Sequence, residues 1–160
     1  MKNLISIVSI LLVLLNSSCK ENEQPQFFTV DMMAFITVVD KQGNNLLDPK
    51  QEGAYDFRDI KIFYERNGNM EEFYEAHLDM PRNFRIDPPE FDRDYIMALV
   101  LDSEKTVIQW NETEADTIQA EIHDNASSVI VQKVYYLGEL KWDGETATKG
   151  RGFTIIKERQ

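Results

Sequence analysis

Apolar and polar residues alternate along most of this chain, and alternation sustained over several residues marks a half-buried β-strand, because successive strand side chains point to opposite faces. From Phe27 to Asp40 the positions Phe28, Val30, Met32, Ala34, Ile36 and Val38 share one face, which predicts one long strand. Lys41-Gln42-Gly43-Asn44-Asn45 then supplies residues that tolerate the positive φ of tight turns. Leu46 and Leu47 are stopped by Asp48-Pro49, and residues 48–59 show no period and are expected to form a loop. The stretches 60–65 and 70–77 flank Asn67-Gly68, a strong two-residue hairpin signal that sets Ile62 against Phe73. A competing pattern makes Asn69 a helix N-cap with Glu72 at N3, since Met70, Phe73, Tyr74 and His77 also fall at helical spacing; the hairpin is the favoured reading.

Further along, Pro81, Pro88 and Pro89 punctuate a charged connection in which Arg82 to Ile86 suits a short edge strand. Tyr95 to Leu101 is continuously apolar, as expected of a central strand covered on both faces. Thr106, Ile108 and Trp110 share the next face. Ile118, Ala120 and Ile122 share another, which turns Thr117, Gln119, Glu121 and His123 outward. Val129 to Leu137, Leu140 to Trp142 and Phe153 to Lys157 complete the pattern. The expectation is an all-β chain whose residues 27–160 form a single antiparallel β-sandwich of about nine strands.

The opening residues follow a different pattern. Lys2 precedes an apolar run from Leu4 to Leu15, and the small residues Ser17 and Ser18 lead to Cys19, the one cysteine in the chain. Twelve residues at about 1.5 Å each span about 18 Å, short of the roughly 30 Å hydrocarbon core, so an export signal fits better than a permanent membrane helix. Leu15-Asn16-Ser17-Ser18-Cys19 resembles the lipobox of bacterial lipoproteins, although Asn16 stands where that family usually has Leu. The resemblance implies a signal peptide at 1–18 and a lipid-bearing Cys19 that opens a polar tether over 19–26. Its partner would be the bilayer, which more than one acyl chain makes a stable attachment. Lys20-Glu21-Asn22-Glu23 is similar to the short acidic tag of Bacteroidetes lipoproteins bound for the outer membrane, and a solvated spacer accounts for the same residues.

Charge narrows the partners. The chain carries 17 Lys and Arg against 28 Asp and Glu, and loss of Lys2 with the prefix leaves 16 against 28, a formal charge of −12. Such a surface repels nucleic acid and anionic headgroups. All 17 aromatic residues lie beyond the prefix, which argues against disorder.

Val39 to Pro49, followed by Ile60-Lys61-Ile62, resembles the opening of small Bacteroidetes lipoproteins of unknown function and is distantly similar to prealbumin-like and immunoglobulin-like sandwich modules. The resemblance implies a fold and no catalytic residues.

The chemistry-bearing residues form few patterns. His77 and His123 lie far apart in sequence, with no His-Glu-x-x-His, so zinc is not expected. Asp87, Glu90, Asp92 and Asp94 cluster in a proline-bearing loop where carboxylates could gather on calcium, and solvated carboxylates account for the same cluster. Asp40 with Asn44, Asn45 and Asp48 is explained by turn chemistry. Trp110 and Trp142 could stack on sugars, but each shares a face with apolar neighbours, which favours packing. No Gly-x-Ser-x-Gly, phosphate loop or dinucleotide fingerprint occurs, so no cofactor and no catalytic residue is expected. Asp116-Thr117-Ile118 resembles the Asp-[Ser/Thr]-aliphatic acceptor of O-glycosylation in exported Bacteroidetes proteins, which nominates Thr117. The function expected is that of a binding or accessory module for a glycan or protein partner, with a structural or assembly subunit of an envelope complex as the alternative. The contact is expected from loops at Lys41 to Asn45, Pro81 to Asp94 and Asn111 to Ala115.

Overall fold

Strands account for all the regular structure in residues 27–91, 93–148 and 150–158, the part of the chain described by this computed structural model. Residues 1–18, expected to form a signal peptide, Cys19, the expected tether to residue 26, and Asp92 lie outside those residues. Among the described residues no helix is long and apolar enough to cross a membrane.

In chain order the strands are β1 (Thr29–Asp31), β2 (Met33–Asp40), β3 (Lys61–Arg66), β4 (Asn69–Glu72), β5 (Phe84–Asp87) and β6 (Ile96–Val100). They continue with β7 (Lys105–Gln109), β8 (Ala115–Asn125), β9 (Ser128–Tyr136), β10 (Glu139–Asp143) and β11 (Gly152–Lys157). One seven-stranded sheet runs β1-β9-β8-β7-β3-β4, with β10 also on β9, and a four-stranded sheet runs β11-β2-β6-β5. Neither closes into a barrel. Eleven strands, rather than about nine, are therefore present among the described residues.

The sheets are mixed, not antiparallel throughout: β1 runs parallel to β9, and β11 parallel to β2. The cause lies in the first alternating run. Instead of one strand from Phe27 to Asp40, the chain leaves the seven-stranded sheet after Asp31 and enters the four-stranded sheet at Met33. Ala34, Ile36 and Val38 are buried while Phe28 and Val30 are exposed. Period-two patterning specifies a face and cannot specify which sheet that face belongs to.

Elsewhere the local chemistry sets the elements. Asn67 and Gly68 both take positive φ, 52° and 78°, and close the β3–β4 hairpin, with Phe73 N–H donating to Ile62 O at 2.8 Å. The helical alternative for this stretch is thereby excluded. β5 is an edge strand, and β6 lies between β2 and β5 with Met97, Ala98 and Leu99 fully buried. The core joins Ala34, Ile36, Val38, Met97, Leu99 and Ile155 of one sheet to Ile62, Tyr64, Ile108, Ile118, Val131 and Val134 of the other. Each buried Val, Leu, Ile or Met among them contributes about 1.5–3 kcal/mol relative to exposure.

Candidate functional site

Among the described residues two places stand out for polar chemistry and shape: a surface cleft beside β5 and a buried polar cluster at one end of β11.

The cleft has a volume of about 530 Å³ and is lined by Phe57, Tyr74, Pro81, Phe84 and Ile86 with Arg58, Arg82 and Arg85. Phe57 and Tyr74 show their rings to solvent. Arg82 reaches across the wall, where Nη1 donates to the carbonyls of Arg58 at 2.6 Å and Ile60 at 2.8 Å, and its guanidinium lies 6.0 Å from the Tyr74 ring centre. Two of the three arginines are already matched. Arg58 donates to Asp56 at 2.9 Å, a contact that pushes Asp56 down to about 2, and Arg85 donates to Asp87 at 2.6 Å. Arg82 has no carboxylate partner among the described residues. The chain reaches this geometry through Asn83, whose φ of 55° turns it into the edge strand.

The β5 edge beside the cleft is open. Val100 N–H donates to Asn83 O at 2.9 Å, so Asn83, Arg85 and Asp87 bond toward β6. By antiparallel alternation the amides and carbonyls of Phe84 and Ile86 point away from β6, and β5 is the last strand of its sheet.

The second place is enclosed. Lys157, the last residue of β11, is 5% exposed; its Nζ contacts Asp116 Oδ2 and lies 3.1 Å from Glu114 Oε1. Asp116 accepts from Trp110 Nε1–H at 2.6 Å and from Tyr136 O–H at 3.1 Å, and Tyr55 O–H donates to Glu114 at 2.6 Å. Trp110 is fully buried and stacks on Tyr55 at 4.8 Å between ring centres. Burial, with Asp116 close by, raises the Tyr136 phenol well above its ordinary value.

The expected contact loops divide between these places. Lys41 to Asn45, the described residues from the end of β5 to Glu90, and Asn111 to Ala115 adjoin strand ends on one side of the sheets. Asn45 Nδ2 donates to Tyr95 O at 2.8 Å, Lys41 lies 3.4 Å from Glu158, and Glu114 meets Lys157. Only Pro81 to Ile86 lines the large cleft, and Phe57, Arg58 and Tyr74 were not expected there. Asp40 serves its turn, accepting from the backbone of Gln42 at 2.9 Å and Asn44 at 2.8 Å.

Of the carboxylates nominated for calcium, Asp87 faces Arg85 and Glu90 lies 3.0 Å from Arg93, while Asp92 lies outside the described residues. Asp94 accepts from the Tyr95 amide at 2.7 Å. Among the described residues no group of three or more His, Cys, Asp or Glu is placed to hold a metal. His77 lies 3.4 Å from Glu75, and His123 is exposed on β8. Trp142 is half-buried, with the Arg151 guanidinium 4.4 Å from its ring centre. Thr117 is exposed on the outer face of β8, while the neighbouring Asp116 carboxylate is turned inward. Compared with known proteins, the chain matches no family model, no curated protein and no solved structure.

Proposed function

We propose that this chain is an exported lipoprotein of the outer membrane, held through Cys19 with its domain facing the periplasm or cell surface, and that it binds an extended segment of a partner protein in the cleft beside β5. The two sheets pack as a sandwich of the prealbumin-like or immunoglobulin-like kind, and the cleft lies on its flank. The observation that carries the reading is the pairing of an unmatched Arg82 with an open β5 edge, on a chain of net charge −11. An added strand would satisfy the outward groups of Phe84 and Ile86, apolar side chains would enter the space between Phe57 and Tyr74, and a carboxylate would meet Arg82.

Synthetic extended peptides alternating aliphatic and acidic residues, titrated into the full chain by calorimetry, test the site. Binding is expected to weaken with added salt and to fall about tenfold in Arg82→Ala, since a charge-assisted hydrogen bond contributes about 1.5–3 kcal/mol. Equal binding by Arg82→Ala would overturn the placement. Binding of neutral oligosaccharides instead, dependent on Phe57 and Tyr74, would replace the partner by a glycan; concentration-dependent self-association with no peptide binding would favour an assembly subunit. For the anchor, mass spectrometry of the membrane-extracted N-terminal peptide is expected to show acylated Cys19, and Cys19→Ala to release the protein. Added sugar abolished by Thr117→Ala would mark that residue as an acceptor.

A further inference from the structure

We propose that Lys157 and Asp116 become joined by an amide bond, formed by the folded chain itself, with Glu114 carrying the proton. The inference is independent of the cleft. Three requirements of such a condensation meet in the enclosed cluster. The amine and the carboxyl group are in contact, on β11 of one sheet and β8 of the other, so folding supplies the proximity that a bimolecular reaction lacks; well-oriented pairs reach effective molarities of about 10⁵–10⁸ M. The side chains of Lys157 and Asp116 are 5% and 11% exposed, and the Lys157 Nζ lies 5.1 Å from the Trp110 ring centre and 5.8 Å from that of Tyr55. Such a setting keeps bulk water from the pair, so an amide formed there is shielded from hydrolysis. Finally, Trp110 Nε1–H is aimed at Asp116 Oδ2 and Tyr136 O–H at Oδ1, fixed donors where charge develops as the carbonyl is attacked.

The balance closes without a co-reactant. One proton passes from Nζ to Oδ1, leaving a neutral amine and a carboxylic acid. Nζ attacks Cγ, and the new bond makes a tetrahedral centre whose Oδ2 is held by Trp110. Glu114, 3.1 Å from Nζ, takes a second proton from the nitrogen and returns it to Oδ1. The Cγ–Oδ1 bond breaks, Oδ1 leaves as water, one hydrogen stays on the amide nitrogen, and Glu114 ends ionised as it began. The product ties the two sheets together covalently in a domain with no cysteine beyond position 19.

Tryptic digestion of the purified full chain followed by tandem mass spectrometry decides the matter without a variant. The expected product is one branched peptide joining residues 106–133 to 152–159, lighter by one water than its two parts, because a linked Lys157 resists cleavage. Full recovery of linear 106–133 and linear 152–157 would overturn the proposal. Asp116→Asn is expected to give the same branched mass by loss of ammonia, and Glu114→Gln to slow formation of the link about 10²–10⁴-fold, the usual span of a lost proton carrier, and so to lower the linked fraction. An unchanged linked fraction in Glu114→Gln would overturn the role given to Glu114.

Discussion

Arg151 and Lys157 stand at opposite ends of β11, both are 5% exposed, and both bridge the two sheets, yet they are held in opposite ways. Arg151 Nη1 donates to Met33 O at 2.8 Å and Nη2 to Val131 O at 2.9 Å, while both nitrogens also reach Asp31, at 3.0 and 3.1 Å. Asp31 keeps 57% of its side-chain exposure. Lys157 instead meets side chains only, two carboxylates and two aromatic faces, mostly out of water. The difference teaches that burial of a cation serves two ends. A planar, non-nucleophilic guanidinium forked between main-chain carbonyls and a carboxylate fixes geometry, whereas an amine enclosed with carboxyl groups is also placed to react.

Removing each cation should separate the two roles. Lys157→Ala leaves the Asp116 and Glu114 carboxyl groups enclosed without their amine partner and also prevents the amide link, so it is expected to cost at least about 3–5 kcal/mol. Arg151→Ala strands two carbonyls but leaves Asp31 free to hydrate, for an expected cost of about 2–3 kcal/mol. Urea denaturation measures both, with the slope expected to stay unchanged in Arg151→Ala and to rise in Lys157→Ala as the cross-link is lost, and a larger loss at Arg151 would reverse the comparison. Arg151→Lys, which keeps the charge and loses the fork, is expected to recover only part of the loss and remain about 1–2 kcal/mol below the parent.

The smallest effect belongs to Tyr136→Phe, about 1 kcal/mol near neutral pH for one lost hydrogen bond. Its pH dependence is more telling. Folding raises the Tyr136 phenol above its ordinary value of 10.0, so above that pH the folded chain holds more protons than the unfolded one and stability falls as pH rises. Tyr64, raised by burial in the same direction, contributes a parallel loss. Stability measured from pH 9 to 11 should therefore decline in the parent chain and decline less steeply in Tyr136→Phe. Identical slopes would show that the phenol does not titrate with folding.

Much of this was legible in the chain. Asn67-Gly68 announced the β3–β4 hairpin, the apolar run 95–101 announced a central strand, and the alternation from Ile118 to His123 placed Thr117 on the outside, because each depends on neighbours in sequence. The β9–β10 turn was less visible. Leu137 adopts a φ of 52° beside Gly138, and leucine gives no turn signal. Both buried cations did leave a trace. The period that puts Phe153 and Ile155 inward also puts Arg151 and Lys157 on the same face, and Asp116 lies two residues before the buried Ile118. What the pattern could not supply was that these faces meet. The cleft was the least legible part, since Phe57 and Tyr74 come from irregular segments whose course depends on what they pack against.

The parallel pairing of β2 with β11 also governs how the chain acquires its structure. Arg151 contacts the Met33 carbonyl across 118 positions of sequence, so the β2 edge stays unpaired until a segment from far downstream arrives. Closing a loop of that length costs entropy before any contact rewards it, which slows folding relative to hairpin-first topologies. The β3–β4 hairpin and the β7-β8-β9 meander can assemble early from local turns, whereas the four-stranded sheet gains its outer strand last. During that interval an apolar edge bearing Ile36 and Val38 stands open, and a nascent chain of this kind gains most from a chaperone that shields strand edges until β11 docks.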